Sequence, residues 1–421
     1  MATAPPGYRA AFRVREFRPV FAAHLMSVLG LVVAEISLTV LVFRVTGSPL
    51  LSALTFALGF LPYALGGTLL AGVADRYPAR RVLVVCDLVC AVCAAAMVLP
   101  GTPVALLFVL RCAMAFVAPL FQGTRNASLA DILGDGDAYV LGRSLLRMVA
   151  QSAQLIGFGV GGILLTALSP RGAIAITAAT FVCSALLLRW GTRARPARAV
   201  GAGRTSPFAA VGAVFGDRRL RAITLMFWLP PLFVVVPEAL MAPYADGIGA
   251  GTAVLGLLMC AMPVGTIAGE LWAGSALGAA ARSRLVAPLA AVGALPLLGY
   301  AVRPGVAVLL VLLLAAGLAH AYTLGLDQWY VDAVPDELRG RAMTLLSTGL
   351  MTLQGVGMAL AGIAAEFAPV HLVVAGSGVL GTAVVLFLLT ELRATAAPTP
   401  HGPHEHRKPH GPKSETASAR K

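Results

Sequence analysis

The chain has 421 residues, 58% of them hydrophobic and only 12% charged, with a formal net charge of +13. A water-soluble globular chain carries roughly 25% charged residues, so this composition excludes a soluble fold of this length. The basic excess would raise nucleic acid as a partner, but the placement of the Lys and Arg residues points to a lipid bilayer and away from nucleic acid.

The first residues are polar and Arg-bearing and run straight into a long apolar stretch, which predicts no cleavable leader. A membrane span needs about 20 mostly apolar residues. Read in chain order, the spans are expected at 20–43, 50–73, 82–99, 103–122, 145–168, 171–189, 222–245, 252–276, 285–301, 305–326, 342–364 and 369–390. Most are apolar all round, as helices buried in protein or facing lipid must be. With the N-terminus inside, 28 Lys and Arg fall on the inner side, and Arg44, Arg171 and Arg303 on the outer side. Basic residues accumulate on the cytoplasmic side, so both termini are expected in the cytoplasm of a multi-pass cell-membrane protein. The Arg-, Gly- and Pro-rich break near 191–220 divides the spans six and six. The expected layout is a helical bundle at 1–190, a cytoplasmic linker at 191–220, a second bundle at 221–393 and a disordered tail at 394–421.

The halves repeat. Pro62 aligns with Pro263, Gly72 with Gly274 and Arg80 with Arg282, while Arg143, Gly157 and Gly159 align with Arg341, Gly355 and Gly357 at one constant shift. Parallel six-span repeats place a substrate site between the halves near the midplane. The expected fold is therefore an all-α membrane protein of twelve transmembrane helices in two pseudo-symmetric six-helix bundles.

The loop after span 2 reads Gly72-Val-Ala-Asp75-Arg76-Tyr-Pro78-Ala-Arg80-Arg81. It resembles the signature loop of the major facilitator superfamily, Gly-x-x-x-Asp-Arg-x-Gly-Arg-Arg, with the first Gly displaced by one and Pro78 at the later Gly. The second half carries Pro335-Asp336-Glu337-Leu338-Arg339-Gly340-Arg341. This is similar to the matching loop of the twelve-span drug:proton antiporters, in the macrolide-efflux and enterobactin-exporter-like branch. Phe17-Arg18 and Thr46-Gly47-Ser48-Pro49 resemble that branch too. The resemblance implies that Gly72, Asp75, Arg76, Arg80, Arg81, Asp336, Arg339 and Arg341 form a cytoplasmic gate; acid–Arg contacts at span ends can break and remake. Asp87, one turn or so inside span 3, reads as a partner of the loop arginines. In span 5, Gly157, Gly159, Gly161 and Gly162 resemble the exporter signature Gly-Pro-x-x-Gly-Gly with Phe158 in place of Pro; close helix packing explains small residues equally well.

Ionisable residues within the bilayer are expensive there and mark function. Glu35 in span 1 and Arg111 in span 4 each lie eight residues from the outer span end, about 12 Å deep at 1.5 Å per residue, and can pair. Glu238 lies at similar depth in span 7, among Pro230, Pro231, Pro237 and Pro243, and span 10 offers it no Arg or Lys. Glu238 is therefore the expected proton carrier, with Glu35 as second candidate; the alternative is that Glu238 caps a broken helix near the interface. His320, Tyr322 and Asp327 of span 10 are expected to line the inner cavity.

Other patterns carry less. Cys86, Cys90 and Cys93 have iron–sulfur spacing but sit inside an apolar helix with no loop to wrap a cluster; Asn126-Ala127-Ser128 is a glycosylation triplet on the inner side; the tail histidines read as solvated. No metal, cofactor or nucleotide is expected, and neither is an enzyme, because no loop holds a nucleophile–base pair. The leading function is a proton-coupled exporter of an amphipathic small molecule, acting as a monomer. Import of a nutrient is the competing reading, disfavoured by the scarcity of polar residues in spans 1, 4, 7 and 10; a membrane sensor comes third.

Overall fold

The computed structural model describes residues 12–70, 73, 76–133, 137–193, 195, 208–335 and 338–395. Gly72, Asp75 and Asp336 lie outside the described residues, and of Arg339 and Arg341 only the backbone is described, at the start of span 11. Among the described residues every regular element is helical.

The chain crosses the bundle twelve times. Span 1 is Phe17–Thr46, span 2 Pro49–Leu69, span 3 Ala79–Val98, span 4 Val104–Leu133, span 5 Asp137–Ala167 and span 6 Pro170–Gly191. Span 7 is Arg218–Gly247, span 8 Thr252–Ala276, span 9 Ala280–Val302, span 10 Val306–Ala333, span 11 Ala342–Phe367 in its apolar part and span 12 Val370–Thr395. Eleven of these are long and apolar enough to cross a membrane; span 5 adds the shorter apolar stretch Ser152–Ala167. Within the stretch expected to be linker lie a short helix, Phe208–Gly216, and the first residues of span 7.

The sequence sets several span starts directly. Ser48 accepts from Leu51 N–H at 3.2 Å ahead of Pro49, and Ser169 accepts from Gly172 N–H at 3.1 Å ahead of Pro170. Asp217 accepts from Leu220 N–H at 2.6 Å to start span 7. Side-chain oxygens there satisfy otherwise orphaned N–H groups, and Pro at the first turn loses no hydrogen bond. Large apolar side chains lie open on the outside of the bundles, Val92, Ile163, Val311 and Phe387 among them. In a helical membrane protein these faces meet lipid.

In the N-terminal bundle span 1 packs on spans 5 and 6, span 3 on span 6, and span 2 on span 4; in the C-terminal bundle span 7 packs on spans 11 and 12, and span 8 on span 10. The bundles meet where span 2 lies against span 11 and span 5 against span 8. The repeat maps one pairing onto the other. Small residues make both possible. A Cβ on Gly162 would stand 2.7 Å from Gly256 Cα, and one on Gly362 would stand 2.9 Å from Ala53 Cβ. Cys260 Sγ–H donates to Leu155 O at 3.2 Å, and Glu366 accepts from Ser48 Oγ at 2.5 Å and Leu50 N–H at 3.1 Å. These contacts run from mid-depth to the end opposite the Arg-rich one, where one apolar core takes Ile36, Phe56 and Phe158 from one bundle and Leu240, Tyr244 and Leu258 from the other.

Helix continuity differs between the bundles. Span 7 breaks at Val235, between Pro230-Pro231 and Pro237. Span 9 tightens into a 3-10 helix over Leu295–Val302, with Pro296 in its first turn. Span 10 breaks at His320–Ala321, between Val306–Ala319 and Tyr322–Ala333. Spans 1–6 of the first bundle each run as one helix.

Candidate functional site: a cavity at the bundle boundary

The breaks in spans 7 and 10 border a cavity of about 190 Å3. Its wall is largely apolar and rich in methionine, with Met241, Met259 and Met262; the polar groups are Gln154 of span 5, Gln354 of span 11, Thr266, His320 and Glu238. Unbranched thioether side chains adapt to differently shaped apolar ligands. Spans 5 and 11 belong to different bundles, so the cavity straddles the boundary.

Glu238 follows the Val235 break, in the first turn of the second half of span 7. Among the described residues it is the one carboxylate lining this cavity, and no hydrogen bond or ion pair to another described residue engages it. The charge that reaches it is that of Glu35. His320 caps the first half of span 10, faces the cavity and meets the Tyr322 ring edge-on at 5.6 Å. Tyr322 lines a smaller adjoining pocket instead, and its buried hydroxyl has no hydrogen-bond partner among the described residues. Asp327, two turns beyond the span 10 break, is exposed.

Glu35 and Arg111 come together. Arg111 Nη2 donates to Glu35 Oε1, with the two side chains 6% and 13% exposed. Span 2 makes room for this pair at Gly59, where a Cβ would stand 2.0 Å from Arg111 Nη2. Span 5 glycines serve packing: Gly157 and Gly161 admit Val32 and Ile36 of span 1, while Gly159 and Gly162 face Cys260 and Gly256 of span 8.

Asp87 corrects an expectation. Its hydrogen-bond partners are Ser27 of span 1, at 3.0 Å, and Ser184 of span 6, at 2.5 Å, rather than the loop arginines. Eight residues of helix separate it from the start of span 3, about 12 Å at the helical rise, and its side chain turns into the bundle. Arg80 instead donates to Thr192 O at 3.2 Å, and Arg81 lies over the Tyr77 ring at 5.9 Å.

Sequence reasoning missed a neighbouring cluster. Arg125, counted among the inner-side basic residues, is 6% exposed and donates to His24 Nδ1 and, at 2.5 Å, to Gln122 Oε1. His24 Nε2 in turn meets Leu146 O at 3.1 Å; with Nδ1 accepting from Arg125, the ring is the neutral Nε2–H tautomer. Span 4 carries Pro119 yet continues to Leu133, so Arg125 falls inside the bundle. Cys86, Cys90 and Cys93 are free thiols, the latter two packed in the apolar core of the first bundle.

The arrangement is suited to hold an apolar molecule against adaptable side chains while one carboxyl takes up a proton or faces a cation. The Major Facilitator Superfamily profile matches residues 19–269. The multidrug efflux pump Tap of Mycolicibacterium fortuitum is 27% identical over 353 residues, 79% of this chain and 84% of that one. Among solved structures, the nucleoside transporter NupG superposes with a TM-score of 0.70 at 16% identity, covering 88% of this chain and 99% of that one. A POT family transporter gives 0.71 at 10% identity over 90% and 96% of the two chains.

Proposed function

The chain belongs to the major facilitator superfamily, and on that premise we propose that it is a proton-coupled exporter of amphipathic small molecules working by alternating access. It is a multi-pass membrane transporter. The observation that carries the finer reading is Glu238: a carboxyl with no cationic partner among the described residues, in the wall of an apolar, methionine-lined cavity between the bundles. Such a group binds a proton when the cavity is dry and releases it when water or a competing cation enters. The name of the relative Tap, a multidrug efflux pump, supports the direction of export.

The Arg-rich end, with both termini, faces the cytoplasm. The packed end is then outside, and this conformation is the inward-facing one. In the alternate state the two bundles, joined through 191–220, rock about the cavity. The loops holding Gly72, Asp75, Arg76, Arg80 and Arg81, and Asp336, Arg339 and Arg341, close the cytoplasmic end. The Glu35–Arg111 pair fixes spans 1 and 4, and a monomer carries out the cycle.

The test is efflux from proteoliposomes driven by an imposed pH gradient. Glu238→Gln, a mimic of the permanently protonated carboxyl, is expected to lose gradient-driven transport while still binding substrate. Full gradient-driven activity in that variant would overturn the assignment.

A further inference from the structure

Asp87 sits in a buried cluster that the cavity does not touch. Asp87 is 2% exposed, Ser27 5% and Ser184 0%. Four oxygen–oxygen contacts within hydrogen-bond distance join them: Ser27 Oγ to Asp87 Oδ1 at 3.0 Å, Ser184 Oγ to Asp87 Oδ2 at 2.5 Å, Ser27 Oγ to Ser184 Oγ at 2.8 Å, and Ser184 Oγ to Ala23 O at 3.1 Å. A hydrogen bond needs one proton between its two oxygens, and each serine has one to give. With an ionised Asp87 only two of the four contacts can be bonds. The other two would set lone pair against lone pair among side chains at most 5% exposed, where an unmatched polar contact is costly; one added proton leaves only the Ser27–Ser184 contact unmatched. A proton on Asp87 Oδ2 supplies the third bond. Asp87 then donates to Ser184, Ser184 donates to the Ala23 carbonyl, and Ser27 donates to Asp87 Oδ1. The shortest contact, Ser184 to Oδ2, is the one this proton occupies.

The groups around the carboxyl include one cation, Arg125, which acts on Asp87 through space. From span 1, His24 and Ser27 face the site; from span 6, Ser184; from span 4, Gln122 and Arg125; from its own helix, Cys86 and Cys90. Arg125 is the sole cation in this set, and its described hydrogen bonds go to His24 and Gln122 rather than to Asp87. Tyr63 of span 2 also acts on Arg125. Ser27, Asp87, Gln122 and Arg125 border a cavity of about 70 Å3 within the bundle, well above the ~10–15 Å3 one water needs. Its polar lining gives that water partners and gives a proton a way in.

We propose that Asp87, Ser27 and Ser184 form a proton-binding site inside the N-terminal bundle, loaded in this conformation and separate from Glu238. It joins spans 1, 3 and 6, and the added proton frees Ser184 to bond the Ala23 carbonyl as well. The proposal does not depend on the role of Glu238 or on the direction of transport.

Infrared spectroscopy of the full chain in lipid nanodiscs tests it, because a protonated carboxyl has a carbonyl stretch that an ionised one lacks. Near neutral pH the wild type is expected to show such a band, and Asp87→Asn, which keeps shape and donor, to lose it. Glu238→Gln is expected to leave that band in place, so loss or retention of a Glu238 signal bears only on the cavity carboxyl. Ser184→Ala removes the acceptor of the Asp87 proton and is expected to displace the band; this variant decides the matter should Asp87→Asn not assemble. A spectrum unchanged by both Asp87→Asn and Ser184→Ala would overturn the proposal.

Discussion

The two bundles repeat each other in helix order but treat their polar groups differently. In the N-terminal bundle the helices are continuous and the buried ionisable groups are matched: Glu35 with Arg111, Arg125 with His24 and Gln122, and Asp87 with Ser27 and Ser184. In the C-terminal bundle spans 7, 9 and 10 are interrupted, and Glu238, His320 and the Tyr322 hydroxyl lie at or just beyond the interruptions of spans 7 and 10 without such partners among the described residues. Matched charges resist rearrangement, because separating a buried pair strands both members. Unmatched groups beside broken helices are free to exchange a proton or meet a ligand. In the proposed mechanism the second repeat supplies the wall that meets proton and ligand.

The difference is sharpest at Glu35. Glu35→Gln leaves Arg111 buried without its anion and is expected to cost about 3–5 kcal/mol, read as a collapse of melting temperature and yield in detergent. Adding Arg111→Gln is expected to restore much of both. Glu238→Gln has no pair to break and is expected to melt near the wild type. Equal destabilisation by Glu35→Gln and Glu238→Gln would erase the distinction between the bundles.

Where the bundles touch, Gly256→Leu drives a side chain into the backbone of span 5, since even a Cβ would stand 2.8 Å from Gly162 Cα. Overpacking costs about 1–3 kcal/mol, here charged against the closed end. Thiol labelling of an Ala53→Cys reporter, buried against Gly362, is expected to rise by an order of magnitude. A smaller shift of the same reporter is expected from Glu366→Gln. That carboxylate caps the start of span 2 from span 11, and a cap contributes about 0.5–2 kcal/mol. Labelling unchanged in both would mean the bundles do not separate there.

The smallest effect lies at the Arg-rich end. Burial works against charge on Glu16, but the Arg195 fork at 2.6 and 2.8 Å and the Arg193 N–H at 2.9 Å outweigh it and hold its carboxyl below the usual value. A depressed carboxyl stabilises above its unfolded pKa, and that contribution is lost as pH falls through the folded one. Arg195→Gln is therefore expected to flatten the acid limb of stability against pH by less than about 1 kcal/mol, with neutral-pH stability changed by the same small amount.

Most of the frame was legible in the sequence, and most of the polar wiring was not. Length and apolarity locate spans because lipid tolerates little else, and the Glu35–Arg111 match follows from depth alone. The break in span 7 was announced by its prolines. The break in span 10 carries no Pro; span 10 packs closely on span 8 just before it, with Gly317 against Met262 O. Arg125 hid because a span was cut at residue 122 when the helix runs to Leu133. Ser27 and Ser184 hid because serines are ordinary in membrane helices. Only the meeting of spans 1, 3 and 6 makes them partners of Asp87.

The central claim is that the unmatched carboxyl of the second bundle exchanges its proton for substrate. Purified protein in weakly buffered detergent, given the proton-free lipophilic cation tetraphenylphosphonium, reports this directly through the change in bulk pH. The account predicts proton release from the wild type and from the Glu35→Gln/Arg111→Gln double variant, and none from Glu238→Gln. Undiminished release from Glu238→Gln, or none from the wild type, would contradict it.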